Sequence, residues 1–198
     1  MAFIGMRHVV GCELDSHTDG SEPTYKSGKG FDIGMAITGN LTITRNDNPL
    51  RADDTIAEDD NGITAMNLEL GVDDLLEETL AKMGIMKEVS TGSPSVTTYY
   101  DTSAPSKDIG VGYMRVRRKA GSTVYQAIWI YKSKFSKNAE NAQTKGETIE
   151  WQTPTVNGRC VGLDIDGSGD LSYRKIQNFT SESAAGTWLD NLAHITRT

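Results

Sequence analysis

The side chains able to do chemistry are few and scattered. The only histidines are His8, His17 and His194, and the only cysteines are Cys12 and Cys160. Both cysteines are flanked by strand-forming residues and neither sits in a catalytic signature. That fits buried, reduced thiols better than a disulfide framework, although a single disulfide is compatible with the count. No GxSxG, HExxH, CxxC or phosphate-loop pattern occurs. "KSGKG", from Lys26 to Gly30, has the residue types of a phosphate loop without its spacing or its flanking strand and helix, and reads as a flexible turn.

One stretch has the order of a calcium loop. "DIDGSGDLSYRK" offers Asp164, Asp166, Ser168 and Asp170 as oxygen ligands, with Gly169 for the sharp turn and Leu171 beyond it. Its twelfth position, where a glutamate would give two oxygens, is Lys175, a cation that opposes calcium. The flanks read as strands, so a hairpin turn rich in Asp and Gly explains the same letters. No metal and no cofactor are expected.

Charge is distributed more tellingly than motifs. Residues 46–61 carry six acids, Asp47, Asp53, Asp54, Glu58, Asp59 and Asp60, against the single base Arg51. Residues 107–137 carry eight bases, Lys107, Arg115, Arg117, Arg118, Lys119, Lys132, Lys134 and Lys137, against the single acid Asp108. Such blocks are often only solvated surface. Opposite charges on two separate excursions also suit a protein that docks repeatedly on copies of itself, with 46–61 as one contact and Arg115 to Lys134 as a candidate basic docking surface. The net charge of −7 argues against a sequence-independent grip on nucleic acid.

The elements that must position these groups are mostly strands. A chain of 198 residues fits a single domain with excursions. No apolar run approaches the roughly 20 residues of a membrane-spanning helix. The start lacks the pattern of a secretory signal, so a protein that stays in the cytoplasm where it is made is expected. Period-two alternation in "AITGNLTITR" predicts a half-buried strand with Ile37, Gly39, Leu41 and Ile43 on one face, and "ITAMNLELG" a second with Met66, Leu68 and Leu70 inward. The acidic stretch therefore joins two strands as a long extended loop. Residues 73–83 predict a helix with Asp73 as cap, a Leu76–Leu80–Met83 stripe and Gly84 as stop.

Residues 87–106 predict a surface connection with a short strand at "VTTYY". Residues 108–137 predict a long hairpin turning at Ala120, Gly121 and Ser122. Its second arm is apolar on both faces, with Val124, Ile128 and Ile130 opposed to Tyr125, Trp129 and Tyr131. Two readings stand: a central strand between the helix and a sheet, or a strand with one face buried by another subunit. "GETIEWQTPTV" predicts a further strand limited at Pro154. The remainder, 161–198, predicts a turn, a strand at "LSYRKIQNF" and a short terminal helix around Trp188, Leu189 and Leu192, weakened by Gly186.

The order of strand, acidic "NDNPLRADDTIAEDDNGIT" loop, strand, "LGVDDL" helix, then "AIWIYKSKFS" and "TKGETIEWQTPTVNG", resembles the major tail tube protein family of long-tailed bacteriophages with noncontractile tails. The resemblance runs from about Met6 to Gly158, and 161–198 is less clearly matched. It implies a mainly β, sandwich or barrel-like domain with one packed helix and a structural role without enzymatic activity. Hexameric rings would stack into a tube through which DNA passes without specific binding, with 46–61 reaching toward the adjacent ring. The implied partners are further copies of the chain, with tape measure, tail terminator and distal tail proteins, and the implied location is the virion tail. The alternatives are a contractile-tail or injection-system tube, a monomeric calcium-dependent β-sandwich module and, last, a small hydrolase using scattered carboxylates.

Overall fold

The computed structural model describes residues 2–46, 48–52, 55–60, 62–94, 96–119, 121–137 and 153–197, with the backbone alone for 2–3, 48–52, 55–60 and 119. In chain order the elements begin with β1 (Ala2–Ser16), β2 (Thr24–Gly34), β3 (Ala36–Arg45), β4 (Asn48–Ala52), β5 (Thr55–Asp60) and β6 (Ile63–Val72). There follow α1 (Glu77–Lys82), β7 (Lys87–Thr91), β8 (Val96–Tyr100), β9 (Ile109–Lys119) and β10 (Ser122–Ser136). The last are β11 (Thr155–Cys160), β12 (Leu163–Asp164), β13 (Leu171–Ser172), β14 (Arg174–Phe179) and α2 (Glu182–Leu192). The fold is mainly β and sandwich-like, as the alternation implies.

The expected hairpin organises it. β9 and β10 pair from Lys119 opposite Ser122 to Ile109 opposite Ser133. In β10 the residues from Ala127 to Tyr131 are all buried, which settles how its two apolar faces are covered. Ile128 and Ile130 join a core with Val9, Ile33, Leu68, Leu70, Leu80 and Met83. Ala127, Trp129 and Tyr131 join a second core with Val10, Cys12, Tyr25, Met114 and Leu189. The chain covers both faces itself. The helix over Trp129 is the terminal α2, while α1 contributes Leu80 and Met83 to the other core.

The main sheet is antiparallel and runs β2-β1-β9-β10-β11-β6-β3, with β14 also on β10. Residues Tyr125 to Ile130 of β10 pair with β14 and Ser133 to Ser136 pair with β11, so one long strand serves two partners along one edge. The path ends on β2 and β3, which follow each other across Met35, so the sheet curls until its ends meet at that corner. Gly34 there has φ +147°, and a Cβ on it would lie 2.8 Å from the Asp74 carbonyl oxygen. Asp73 closes the corner twice: its Oδ1 accepts from Met35 N at 2.8 Å, and its own N–H donates to Met35 O at 3.0 Å.

That closure explains why the helix is shorter than 73–83. Asp73 is held by Met35 and is not the cap, and α1 starts only at Glu77, with Leu76 at the cap position and no side-chain capping bond. Leu76 is exposed and leaves the expected stripe, and the buried side is Leu75, Thr79, Leu80 and Met83. β3 is another correction. It is an edge strand on β6, and its expected inward face is covered only in the middle, where Leu41 packs on the first core and Met6 lies over Gly39, while Ile37 and Ile43 are exposed.

The 46–61 excursion is also not a loop. β4 and β5 pair from Asn48 opposite Asp60 to Ala52 opposite Thr55, forming a two-stranded sheet of their own above the Asn46 N–H to Gly62 O bond. Likewise "VTTYY" is β8, paired with β7 as a second separate ribbon. The strand expected at "GETIEWQTPTV" falls partly on 146–152, including Ile149 and Trp151, which lie outside the described residues. β11 starts after Pro154, whose carbonyl accepts from Val72 N, and it pairs with both β10 and β6. "LSYRKIQNF" divides into β13 and β14, and α2 is capped by Ser181, whose Oγ accepts from Ala184 N.

The second core holds a buried polar pair. Trp129 Nε1 donates to Tyr25 Oη at 2.7 Å, Tyr25 Oη donates to Tyr131 O at 2.9 Å, and the rings meet edge to face with centroids 5.1 Å apart. Burial pushes the Tyr25 phenol well above its ordinary value and the Cys12 thiol up to about 11, so both stay protonated at neutral pH. Both cysteines are free and buried. Tyr25→Phe keeps the ring contact but strands the Trp129 N–H, and urea unfolding is expected to show a loss of about 1–3 kcal/mol.

Candidate functional site

Of the acidic excursion, Asp47, Asp53 and Asp54 lie outside the described residues. Arg51 is on β4 opposite Ile56, and Glu58, Asp59 and Asp60 are on β5 opposite Leu50, Pro49 and Asn48. The ribbon leaves the body between β3 and β6, so its base is fixed by paired strands. Glu58, Asp59 and Asp60 therefore ride on a paired strand, which holds their backbone in a set register.

The basic run does not form one surface. Arg115, Arg117, Arg118 and Lys119 are at the turn end of the hairpin, and Lys132 and Lys134 are at its open end. Arg118 is level with Thr123 and Lys132 lies nine residues further along β10, about 30 Å at ~3.3 Å per residue. Both lysines bracket one carboxylate: Lys132 Nζ is 3.1 Å from Asp108 Oδ2 and Lys134 Nζ 3.8 Å from Asp108 Oδ1. Arg115 is half-buried and donates to Gln126 Oε1, which in turn donates through Nε2 to Asn178. Burial, with Arg174 and Arg117 nearby, pulls its guanidinium below the ordinary value. Arg118 is exposed.

The calcium-like stretch is a closed turn between β12 and β13. Asp164 Oδ1 accepts from Gly167 N at 2.7 Å and Oδ2 from Gly169 N at 3.0 Å, while Asp166 Oδ1 accepts from both the N–H and the Oγ of Ser168. Those bonds hold the Asp166 carboxyl below its usual range. Ser168 Oγ accepts from Asp170 N. Lys175 pairs with Glu22 at 2.6 Å and lies over the Trp188 ring. Among the described residues no group of three or more His, Cys, Asp or Glu is placed to hold a metal.

What the fold does assemble is a cluster without any sequence motif. His8 sits at a bulge in β1 with φ +56°, where register against β9 slips between Arg7 and Val10. Its Nε2 is 2.8 Å from Asp190 Oδ1. Arg197 Nε donates to Asp190 Oδ2 at 2.8 Å, and its two terminal nitrogens donate to Asp32 at 2.7 and 3.3 Å. These two carboxylates raise the Arg197 pKa. A His–Asp pair beside an arginine invites a catalytic reading, but the same ring also packs through Cε1 on Gly186 of α2, where a Cβ would lie 3.4 Å away. With His8 and Arg197 both on Asp190, and Arg197 also on Asp32, the cluster acts as a clamp. It ties α2 and the 193–197 segment to β1 and β2, where a Cβ on Gly30 would lie 1.9 Å from the Ala193 carbonyl oxygen.

Beside the clamp is an open cleft of about 490 Å³ at the β2–β3 corner, lined by His8, Asp32, Met35, Asp73, Asp74 and Leu76 among others. Met35 is 73 % and Leu76 57 % exposed on its rim. The edge strand β3 adjoins it, and from Ala36 to Thr44 that edge has no charged residue and no proline.

Models of known protein families give no match to this chain, and curated protein sequences give none either.

The clamp makes a graded prediction. Asp190→Ala removes a nearly buried carboxylate and strands two donors, so chemical denaturation should show about 2 kcal/mol less stability. Glu182→Ala, which removes the exposed Arg7–Glu182 pair, should leave stability within the scatter of surface substitutions.

Proposed function

We propose that this chain is a structural subunit of a phage-type tail tube, which assembles with copies of itself into stacked hexameric rings that conduct DNA. The observation that carries the reading is the β4–β5 ribbon. A five-residue and a six-residue strand form a sheet of their own outside the body. A monomer gains little from such an isolated hairpin, which is marginal in water on its own. A subunit that must reach across to the next ring gains a rigid arm.

Two further features support the reading. The core is complete without a partner, since both faces of β10 are covered within the chain, so contacts between copies fall to ribbons and edges. The β3 edge is suited to that: it is long, uncharged from Ala36 to Thr44, and lacks the Lys and Pro residues that blunt natural edges. An acidic chain lining a conduit repels the phosphate backbone, which lets DNA pass without being held. Tape measure, terminator and distal tail proteins are the partners this role implies, and the virion tail the location.

The test removes the arm and keeps the body. Replacing residues 47–61 by an Asn-Gly turn joins β3 to β6 where Asn46 already donates to Gly62. The expected outcome is a subunit with unchanged circular dichroism that forms no stacks in sedimentation velocity. Stacks as long as those of the unaltered protein would remove the role given to the ribbon.

A further inference from the structure

Resting on the self-assembly reading, we infer that the cleft at the β2–β3 corner receives the turn end of the β9–β10 hairpin from a second copy of this chain. The cleft combines two chemistries. Met35 and Leu76 stand exposed on its rim, and Ile37, next on the same side of β3, is 50 % exposed. Between them Asp73 and Asp74 are exposed and form no ion pair among the described residues. Each uses Oδ1 on a backbone N–H, of Met35 and of Leu75 respectively. Their carboxylates are therefore fixed in direction, with no ion-pair partner among the described residues.

The hairpin end carries the complement. Arg118 is exposed and forms no ion pair among the described residues. On β1, two residues on from Ala2, which is opposite Arg118, Ile4 is 60 % exposed, between Phe3 opposite Arg117 and Gly5 opposite Val116. Thus an apolar side chain with an arginine beside it faces solvent at one end of the body, and an apolar rim with two carboxylates faces solvent at the corner. Unpaired charge of opposite sign, each beside exposed apolar surface, is the pattern of two halves of one contact.

The occupant cannot be the chain's own hairpin. Arg118 is level with Ala2 on β1, whereas the cleft wall begins at His8, six residues on, about 20 Å at ~3.3 Å per residue. The two surfaces differ, so the contact is heterologous and runs head to tail. A chain of such contacts closes into a ring when the rotation per subunit allows it. The contact joins neighbours through side chains at a corner and a turn, and is separate from the β4–β5 arm.

The experiment is charge exchange. Asp74→Lys and Arg118→Glu are both exposed substitutions, and circular dichroism with thermal unfolding reports that each variant is folded. Each alone should raise the concentration needed for half-assembly in sedimentation velocity by about tenfold or more, and the double variant should recover most of the loss. A second readout uses the burial of both native thiols: Asp74→Cys mixed with Arg118→Cys should give a disulfide-linked pair under mild oxidation. Wild-type assemblies with folded Asp74→Lys subunits that assemble equally well, or a double variant no better than the singles, overturn this contact alone. A wild-type protein that stays monomeric at every concentration overturns the assembly reading and the contact with it.

Discussion

The structure depends on one strand having no polar face. From Ala127 to Tyr131, β10 presents apolar side chains in both directions, and at about 25 cal/mol per Å² neither face can be left in water. One face is met by the curled sheet and α1, the other by β1, β2 and α2. The rest of the fold follows from covering the second face. A sheet on one side leaves only a helix to close the other, so α2 must be held down, and the chain spends its strongest polar contacts there. The His8–Asp190–Arg197–Asp32 clamp holds its end.

Because the body satisfies itself, its functional surfaces are what extends beyond it or stays open at its edges. Two ribbons, an uncharged edge strand and a corner cleft with an apolar, acidic rim are the features that folding alone does not explain. None of them gathers nucleophile, base and binding group in one place. Each has the character of a contact surface, and they lie on different parts of the molecule, as repeated self-docking in more than one direction requires. Positive charge is split between the two ends of the hairpin, with Lys132 and Lys134 held by Asp108 and Arg118 exposed, without an ion pair among the described residues.

Much of the fold was legible because alternation reports burial directly. Met66, Leu68 and Leu70 inward with Asn67 and Glu69 outward, and the two-faced arm of β10, follow from period two alone. The failures have physical causes. Ile37 and Ile43 alternate like core residues, but alternation carries no information on how far the covering layer extends along a strand, and here it covers Leu41 and not the two isoleucines. Asp73 has the residue type of a helix cap, and a tertiary partner, the Met35 N–H across the corner, took it first. The acidic stretch has no apolar periodicity, so the pairing of β4 with β5 left no signal in the pattern. The clamp was beyond reach: its members are separated by as many as 189 residues, and no local spacing marks them.

The claim that this is a self-assembling subunit is tested most directly by negative-stain electron microscopy of the purified protein at high concentration. Rings or tubes of one uniform width are the predicted result. Single particles of monomer size at the highest concentration, with no ordered assemblies, would contradict it.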